Sequence, residues 1–221
     1  MEFLRIAPEI SEVASSRGAL RVAEIKLGGV PRGAVVVLCD AGALEQDAPE
    51  VMNGLAEHGY ESLAVDLSSA RPALDDDLLR DVATLLGRLG DRGWSAEQIG
   101  LVGYGFGGRI ALLAAAEFGL GAAVSVAPTG VQVPPIPLRA PWLGLFGDLD
   151  ENVPPQAVRE LRETLDSGSP VYTEAVGYPG VGAGFHRDAP EVLAHAAAFD
   201  SWQRTVEWLN LRVVPAAGTR G

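Results

Sequence analysis

The hydrophobic pattern of this chain alternates between short apolar runs and amphipathic stretches. The apolar runs predict buried strands, and they lie at 34–39, 60–67, 99–102, 122–126, 142–146 and 171–176. Apolar residues at helical spacing predict the helices between them, over 46–58, 74–89, 110–116, 154–166 and 191–209. Because strands alternate with helices, the predicted fold class is α/β, with a doubly wound, mostly parallel sheet.

The N-terminal part of the chain is patterned differently. Residues 19–27 alternate apolar and polar side chains, which predicts an edge strand or one arm of a hairpin. Residues 1–18 carry little periodicity and are predicted to be irregular, and the tail after Val214 is predicted to be loose. We find neither an internal repeat nor an interdomain linker, so we expect a single domain over 1–221 with its core at about 19–210.

The strand at 99–102 is followed by a turn that is crowded with glycine at positions Gly103, Gly105, Gly107 and Gly108. Three of them satisfy G-x-G-x-x-G, the fingerprint of dinucleotide-binding folds. That fold requires an acidic residue at the end of the next strand, where this chain has Ala127-Pro-Thr129. Nucleotide binding is therefore disfavoured.

The same turn has the frame of a nucleophile elbow, G-x-S-x-G, in which a strained residue between two glycines presents an attacking side chain. Gly103 and Gly107 complete that frame. The central residue is Gly105, which has no side chain that could attack a substrate. The pattern predicts the geometry of a hydrolase without its nucleophile.

The stretch Gly103-Tyr-Gly-Phe-Gly-Gly108 resembles the G-Y-C-x-G-G elbow of the dienelactone hydrolase family, within the α/β-hydrolases. The resemblance extends from about Ala19 to Leu209. Further stretches support it, namely Val35-Val-Val-Leu-Cys-Asp40, Leu55-Ala-Glu-His-Gly-Tyr60 with Val65-Asp-Leu67, Gly147-Asp-Leu-Asp-Glu-Asn-Val-Pro154 and Tyr178-Pro-Gly-Val-Gly-Ala-Gly-Phe185. The resemblance implies an α/β-hydrolase fold and the hydrolysis of carboxylic esters.

The family uses a Cys-His-Asp triad, and the resemblance implies where its members fall in this chain. The cysteine position is Gly105, the acid is Asp150 and the histidine position is Ala183. The backbone N–H groups of Ala41 and Phe106 match the family's oxyanion hole, and backbone donors survive the loss of side chains. The resemblance thus implies an active site in which the nucleophile and base positions are vacant.

Further side chains are candidates for ligand binding. Asp40 matches a position that resembles the family's active-site glutamate, and Arg71 lies where the family places an arginine that binds the substrate carboxylate. Either could instead be a solvated loop charge. Tyr104 is a candidate acid or base. Ligands of such sheets bind beyond the carboxyl ends of the strands, so we expect one pocket to be formed by the loops at Asp40, Ser68, Gly105, Asp150 and Ala183.

Three residues near this pocket allow two interpretations each, and the second is favoured for each. Asp150 could orient a base, or it could be a structural residue that caps the turn before Pro154. His186, which follows Ala183 closely, could swing into the pocket as a replacement base, or it could be a surface histidine. Cys39 could be a displaced nucleophile, or it could be a small hydrophobic residue of the core.

Composition limits the function classes. The net charge of −12 argues against nucleic acid and against anionic membrane surfaces as partners. Cys39 is the single cysteine, which excludes an intramolecular disulfide and a cysteine-rich zinc site and favours a cytoplasmic location. Neither a signal peptide nor a membrane-spanning run is evident. We expect a small-molecule ligand or substrate as partner and no cofactor or metal, and the sequence does not indicate an oligomeric state.

The sequence leaves three hypotheses for function open. The chain could be a non-hydrolytic family member, a pseudoenzyme, that binds a small carbonyl or carboxylate ligand. It could be an active hydrolase, lyase, isomerase or cyclase that combines the oxyanion hole with Asp40, Tyr104, Asp150 or His186 as acid and base. It could also be a deliberately disabled variant, since glycine and alanine are what an inactivating design leaves at the nucleophile and base positions.

Overall fold

The computed structural model describes residues 5–68, 74–131, 137–187 and 192–217. Its strands are β1 (Glu9–Ser15), β2 (Gly18–Ile25), β3 (Gly33–Leu38), β4 (Tyr60–Val65), β5 (Ile99–Tyr104), β6 (Ala122–Val126), β7 (Trp142–Gly147) and β8 (Thr173–Tyr178). Its helices are α1 (Ala48–Glu57), α2 (Asp75–Gly90), α3 (Phe106–Glu117), α4 (Pro155–Gly168) and α5 (Val192–Arg212), with a short 3-10 helix at Ala96–Gln98.

The strands form one eight-stranded sheet in the order β1-β2-β4-β3-β5-β6-β7-β8. β1 and β2 form an antiparallel hairpin, and β2 also pairs with β4 in the antiparallel sense. The pairs from β4 through β3 and β5 to β8 are all parallel. This topology confirms the predicted doubly wound, mostly parallel sheet.

Helices cover both faces of the sheet because the side chains of each strand alternate between the faces. Val36 and Leu38 of β3 belong to a core cluster with α2, α3 and α4. Val35 and Val37 of the same strand belong to a second cluster with α1 and α5. Both faces of β3 are thus buried, as its continuous apolar sequence predicts.

The N-terminal segment is more ordered than the sequence predicts. The expectation of an irregular segment over 1–18 is wrong for Glu9–Ser15, which forms the outer strand β1 and pairs with β2. Val13 is buried in β1, whereas Ile10 is 47% exposed. An edge strand that buries so little has a weak hydrophobic period, which explains the error. The predicted strand at 19–27 is accordingly the inner arm of a hairpin.

A buried chain of hydrogen bonds stabilises the start of α3, directly after the glycine-rich turn. The Ser125 hydroxyl donates to the Gly108 carbonyl at 2.7 Å and accepts the indole N–H of Trp142 at 2.8 Å. Ser125 and Trp142 are fully buried. These bonds connect β6 and β7 to the start of α3.

We predict that Ser125→Ala lowers the free energy of unfolding by about 1–3 kcal/mol, because it leaves the buried Trp142 N–H without an acceptor. Urea denaturation measures the change. Ser167→Ala is the matched control, since that hydroxyl bonds the Glu163 carbonyl within its own exposed helical turn. The control should change stability by less than about 0.5 kcal/mol. Equal effects of the two substitutions would contradict the prediction.

Candidate active site

The turn between β5 and α3 places Gly105 at the centre of the candidate site. Its backbone has φ 52° and ψ −115°, a conformation that residues with a side chain rarely adopt. Gly103 and Gly107 serve close packing instead, since a Cβ at Gly103 would overlap with the Gly107 carbonyl and a Cβ at Gly107 with the Leu38 carbonyl. This is the backbone frame expected of a nucleophile elbow.

The space that a side chain at Gly105 would fill is occupied by Asp40. An ideal Cβ at Gly105 would overlap with Cγ and Oδ1 of Asp40 and would lie 2.6 Å from Oδ2. Asp40 comes from the loop after β3, and Gly105 from the turn after β5. Two of the five loops that were expected to form one pocket therefore meet at the carboxyl edge of the sheet, whereas Ser68, Asp150 and Ala183 are not among the residues that line the cavity between α1 and α5.

Two backbone amides hold the Asp40 carboxylate in this position. Its Oδ1 accepts the N–H of Ala41 at 2.9 Å and the N–H of Phe106 at 3.1 Å. These are the amides that the family resemblance implies as oxyanion donors. Phe106 begins α3, where the helix dipole favours a negative charge. A carboxylate of the chain itself therefore lies where these donors point.

Arg187, which the sequence analysis did not single out, contacts the other oxygen of this carboxylate. Its Nη2 donates to Asp40 Oδ2 at 3.1 Å, and its Nε lies 3.6 Å from Asp47 Oδ2. The Arg187 side chain is 52% exposed and that of Asp40 28%, so solvent weakens this ion pair. Local sequence offered no signal, because an arginine in a polar loop has the pattern of a surface residue.

Asp66 orders the loop that carries the Ala41 amide. Its Oδ2 accepts the N–H of Gly42 at 2.8 Å, and its Oδ1 accepts both the N–H and the hydroxyl of Ser68. Gly42 has φ 76°, which lets the chain turn there. Asp66 is thus a positioning residue that the sequence analysis missed. Its signal was a buried strand that ends directly before an aspartate.

Tyr104 and His186 form a wall of the site, with ring centroids 5.3 Å apart. His186 is partly buried, and its Nδ1 has no hydrogen-bond partner within the described part of the chain. Burial, together with the positive charge of Arg187, lowers the pKa of His186 to about 4, so its ring is neutral at pH 7. Burial raises the pKa of Tyr104, so its phenol keeps its proton. His186 therefore belongs to the site wall rather than to the open surface.

Asp150 and Ala183 lie on adjacent loops. The Leu149 N–H donates to the Val181 carbonyl at 3.0 Å and joins the two loops. Asp150 is buried, with 5% exposure, and its Oδ1 accepts the N–H of Asn152 at 2.8 Å. This bond closes the turn that precedes α4 and supports the interpretation of Asp150 as a structural residue.

Cys39 lies beside the site without the properties of an activated thiol. Burial, followed in strength by the negative charge of Asp66, raises the pKa of the Cys39 thiol to about 12. Because the thiolate is the reactive form, this environment disfavours Cys39 as a displaced nucleophile. Arg71, the predicted carboxylate-binding residue, lies outside the described residues.

A cavity of about 990 Å³ extends from the site between α1 and α5. The end nearest to Gly105 is lined by Cys39, Asp40, Tyr104 and His186. The apolar part of the lining includes Val37, Ala48, Val51, Val126, Phe199 and Trp202. Its charged residues are Arg5, Asp40, Asp47, Glu50, Glu57 and Arg187. The cavity thus joins a polar end to an apolar cleft, as small-molecule sites commonly do.

Within residues 5–68, 74–131, 137–187 and 192–217, no group of three or more His, Cys, Asp or Glu side chains is placed to hold a metal ion. The helices of these same ranges lack the apolar length needed to cross a membrane.

Solved structures define the class of fold. A Klebsiella pneumoniae protein proposed to be a dienelactone hydrolase superposes with a TM-score of 0.75 and 24% identity, covering 93% of this chain and 99% of that chain. The propionate-bound esterase Est2 of Thermogutta terrifontis superposes with a TM-score of 0.77 and 15% identity, covering 97% of each. At these identities the likeness concerns the fold, and the chain has the α/β-hydrolase fold.

The family follows from the sequence itself. The model of the dienelactone hydrolase family matches residues 69–212, and the chain belongs to that family. A Salmonella typhimurium protein proposed to be a carboxymethylenebutenolidase is 33% identical over 146 residues, which cover 61% of this chain and 54% of that relative. The match thus spans about half the length of that relative. An Escherichia coli O157:H7 protein of the same description is 27% identical over 210 residues, covering 81% of this chain and 77% of the relative.

We predict that Cys39 resists modification in the folded protein. With a pKa of about 12, the thiolate fraction at pH 8 is roughly a thousandfold below that of a free cysteine. A colorimetric disulfide reagent should therefore label no thiol in the native state and one thiol per chain in guanidinium chloride. Rapid stoichiometric labelling of native protein would show an activated, accessible cysteine and would contradict the prediction.

We predict that His186 makes the fold less stable as the pH falls from about 6.5 to about 4. Its pKa is about 4 in the folded state and near 6.5 in the unfolded state, so unfolding takes up a proton in this window. NMR titration of the ring and urea denaturation at each pH measure the effect. His186→Gln should flatten the stability profile, whereas His58→Gln, at an exposed position after α1, should not. A His186 ring that titrates near 6.5 would contradict the prediction.

Proposed function

We propose that this member of the dienelactone hydrolase family does not hydrolyse esters through a Cys-His-Asp triad and instead binds a small carbonyl or carboxylate compound. The observation that carries the proposal is the Asp40 carboxylate, which fills the side-chain space at Gly105. A nucleophile needs that space and needs a free pair of oxyanion donors. Asp40 takes up both.

The arrangement of acid and base supports the same conclusion. A triad requires a continuous chain of contacts from nucleophile to base to acid. The Asp150 carboxylate bonds the Asn152 amide, and the charges that act on His186 are those of Arg187, Asp40 and Asp47. His186 is thus electrostatically coupled to the Asp40 end of the site, which argues against a replacement base in a rebuilt triad.

The cavity supports a small ligand with one polar end. Tyr104 offers a protonated hydroxyl, His186 offers a neutral ring, and Arg187 offers a cation. The relatives' proposed activity, carboxymethylenebutenolidase, supports the same class, since that name describes an unsaturated lactone that carries a carboxylate. The single cysteine supports a cytoplasmic location for this protein.

An enzyme with other chemistry is the second candidate, and the position of Asp40 favours it. Its carboxylate lies at the reaction centre beside a neutral imidazole, where it could act as a general base. In that case Asp40→Asn, which keeps the shape and removes the base, should abolish a saturable lyase or isomerase reaction. Unchanged turnover in Asp40→Asn would exclude this candidate.

The test of the proposed function is hydrolysis of a dienelactone and of small aryl esters. We predict background rates for the unsubstituted chain and saturable turnover for Gly105→Cys/Ala183→His combined with Asp40→Ala. Without Asp40→Ala the restored variant should be slower by about 10²-fold, because the Asp40 carboxylate and the introduced side chain compete for the same space beside the oxyanion donors. Asp47→Ala in place of Asp40→Ala is the matched control, since Asp47 also pairs with Arg187.

The control combination should behave like the slower variant. Saturable turnover by the unsubstituted chain would overturn the proposal, and it would make His186 and Asp40 the first residues to substitute. Circular dichroism confirms that each variant is folded before its rate is compared.

A further inference from the structure

The candidate site already contains a bound carboxylate, and the chain supplies it. Two amides from separate segments, those of Ala41 and Phe106, converge on Asp40 Oδ1 at 2.9 and 3.1 Å. Arg187 donates to Oδ2 at 3.1 Å. Together these groups bind both oxygens of one carboxylate, which is the arrangement by which proteins bind small organic acids.

The two amides are the more firmly held partners of the Asp40 carboxylate, and Arg187 is the weaker one. Arg187 is 52% exposed, and it also lies near Asp47, so solvent and a second carboxylate compete for it. The Phe106 amide is the first of a 12-residue helix, and the Ala41 amide is held in place through the bond from Gly42 to Asp66. The two amides are therefore held by contacts that do not involve Asp40.

Asp40 has a carboxylate that is accessible to solvent. Its side chain is short, lies on a loop beyond the end of β3 and remains 28% exposed. Rotation about its Cα–Cβ bond would carry the carboxylate away from Gly105, where the three atoms nearest to an added Cβ all belong to Asp40. Of the groups that contact the carboxylate, Arg187 lines the cavity together with Asp40 itself, and the two amides lie directly behind Asp40.

We propose that Asp40 is an internal ligand of the Ala41 and Phe106 amides, and that an external carboxylate occupies the site only by displacing it. The inference rests on the proposed function for the identity of the ligand as a small carbonyl or carboxylate compound. It adds that Asp40 occupies the site in the resting protein. The apparent affinity for an external carboxylate is then the intrinsic affinity multiplied by the fraction of molecules in which Asp40 has moved away.

The test uses formate, the smallest carboxylate, as the probe and the amide resonances of Ala41 and Phe106 as the readout. Asp40→Gly removes the internal ligand, whereas Asp40→Asn keeps a carbonyl oxygen in the place of Oδ1 and removes only the charge. We expect both resonances to shift saturably with formate in Asp40→Gly. The affinity should be at least about tenfold higher than in the unsubstituted chain and in Asp40→Asn. Sodium chloride at equal ionic strength serves as the reference titration.

Three results would overturn the inference. They are the absence of saturable shifts at both amides in folded Asp40→Gly, equal formate affinity in Asp40→Gly and the unsubstituted chain, and an Asp47→Ala variant that binds formate at these amides as tightly as Asp40→Gly. If Asp40→Gly does not fold, Asp40→Ala takes its place, since it also lacks the carboxylate. Ester turnover by the unsubstituted chain would overturn the proposed function alone, whereas missing formate binding without ester turnover would overturn this inference alone.

Discussion

The close approach of three backbones is the constraint on which the site depends. Gly103 and Gly107 lack the Cβ atoms that would collide with the Gly107 and Leu38 carbonyls, so the start of α3 packs directly against the ends of β3 and β5. This contact brings the first amide of α3 to the loop after β3. Without it, Asp40 would have one amide partner instead of two, and a partly buried carboxylate would be poorly compensated.

Before any reaction, the oxyanion donors of this site already bond a negative charge, whereas a hydrolase active site needs those donors free. In an acyl-transfer site the oxyanion donors wait for a negative charge that develops only in the transition state. Here the donors already bond a permanent negative charge, and the nearby imidazole is held neutral by burial. Each of these groups is individually satisfied or uncharged in the resting state, which supports the proposal that the site does not carry out a nucleophilic step.

The sequence predicts much of the fold because local pattern and tertiary environment agree there. β3 is apolar throughout and is buried on both faces, and the glycine spacing at 103–107 predicts the elbow that the structure contains. β1 escapes prediction because it buries little beyond Val13. The amides of Ala41 and Phe106 were implied by the resemblance to the dienelactone hydrolase family, and both bond one oxygen of Asp40 in the structure.

The contacts of individual side chains could not be predicted in the same way. These contacts depend on side-chain rotamers and on the distance between loops. Examples are the approach of Asp40 to Gly105, the bond from Arg187 to Asp40 and the bond from Gly42 to Asp66. No local periodicity encodes these. The position of Asp40 also has a consequence for any substitution at position 105. The present Asp40 rotamer is compatible only with a residue that lacks a side chain there. A single substitution that adds a side chain at 105 would meet a steric and electrostatic block, so the two positions form a coupled pair in which the order of substitution matters.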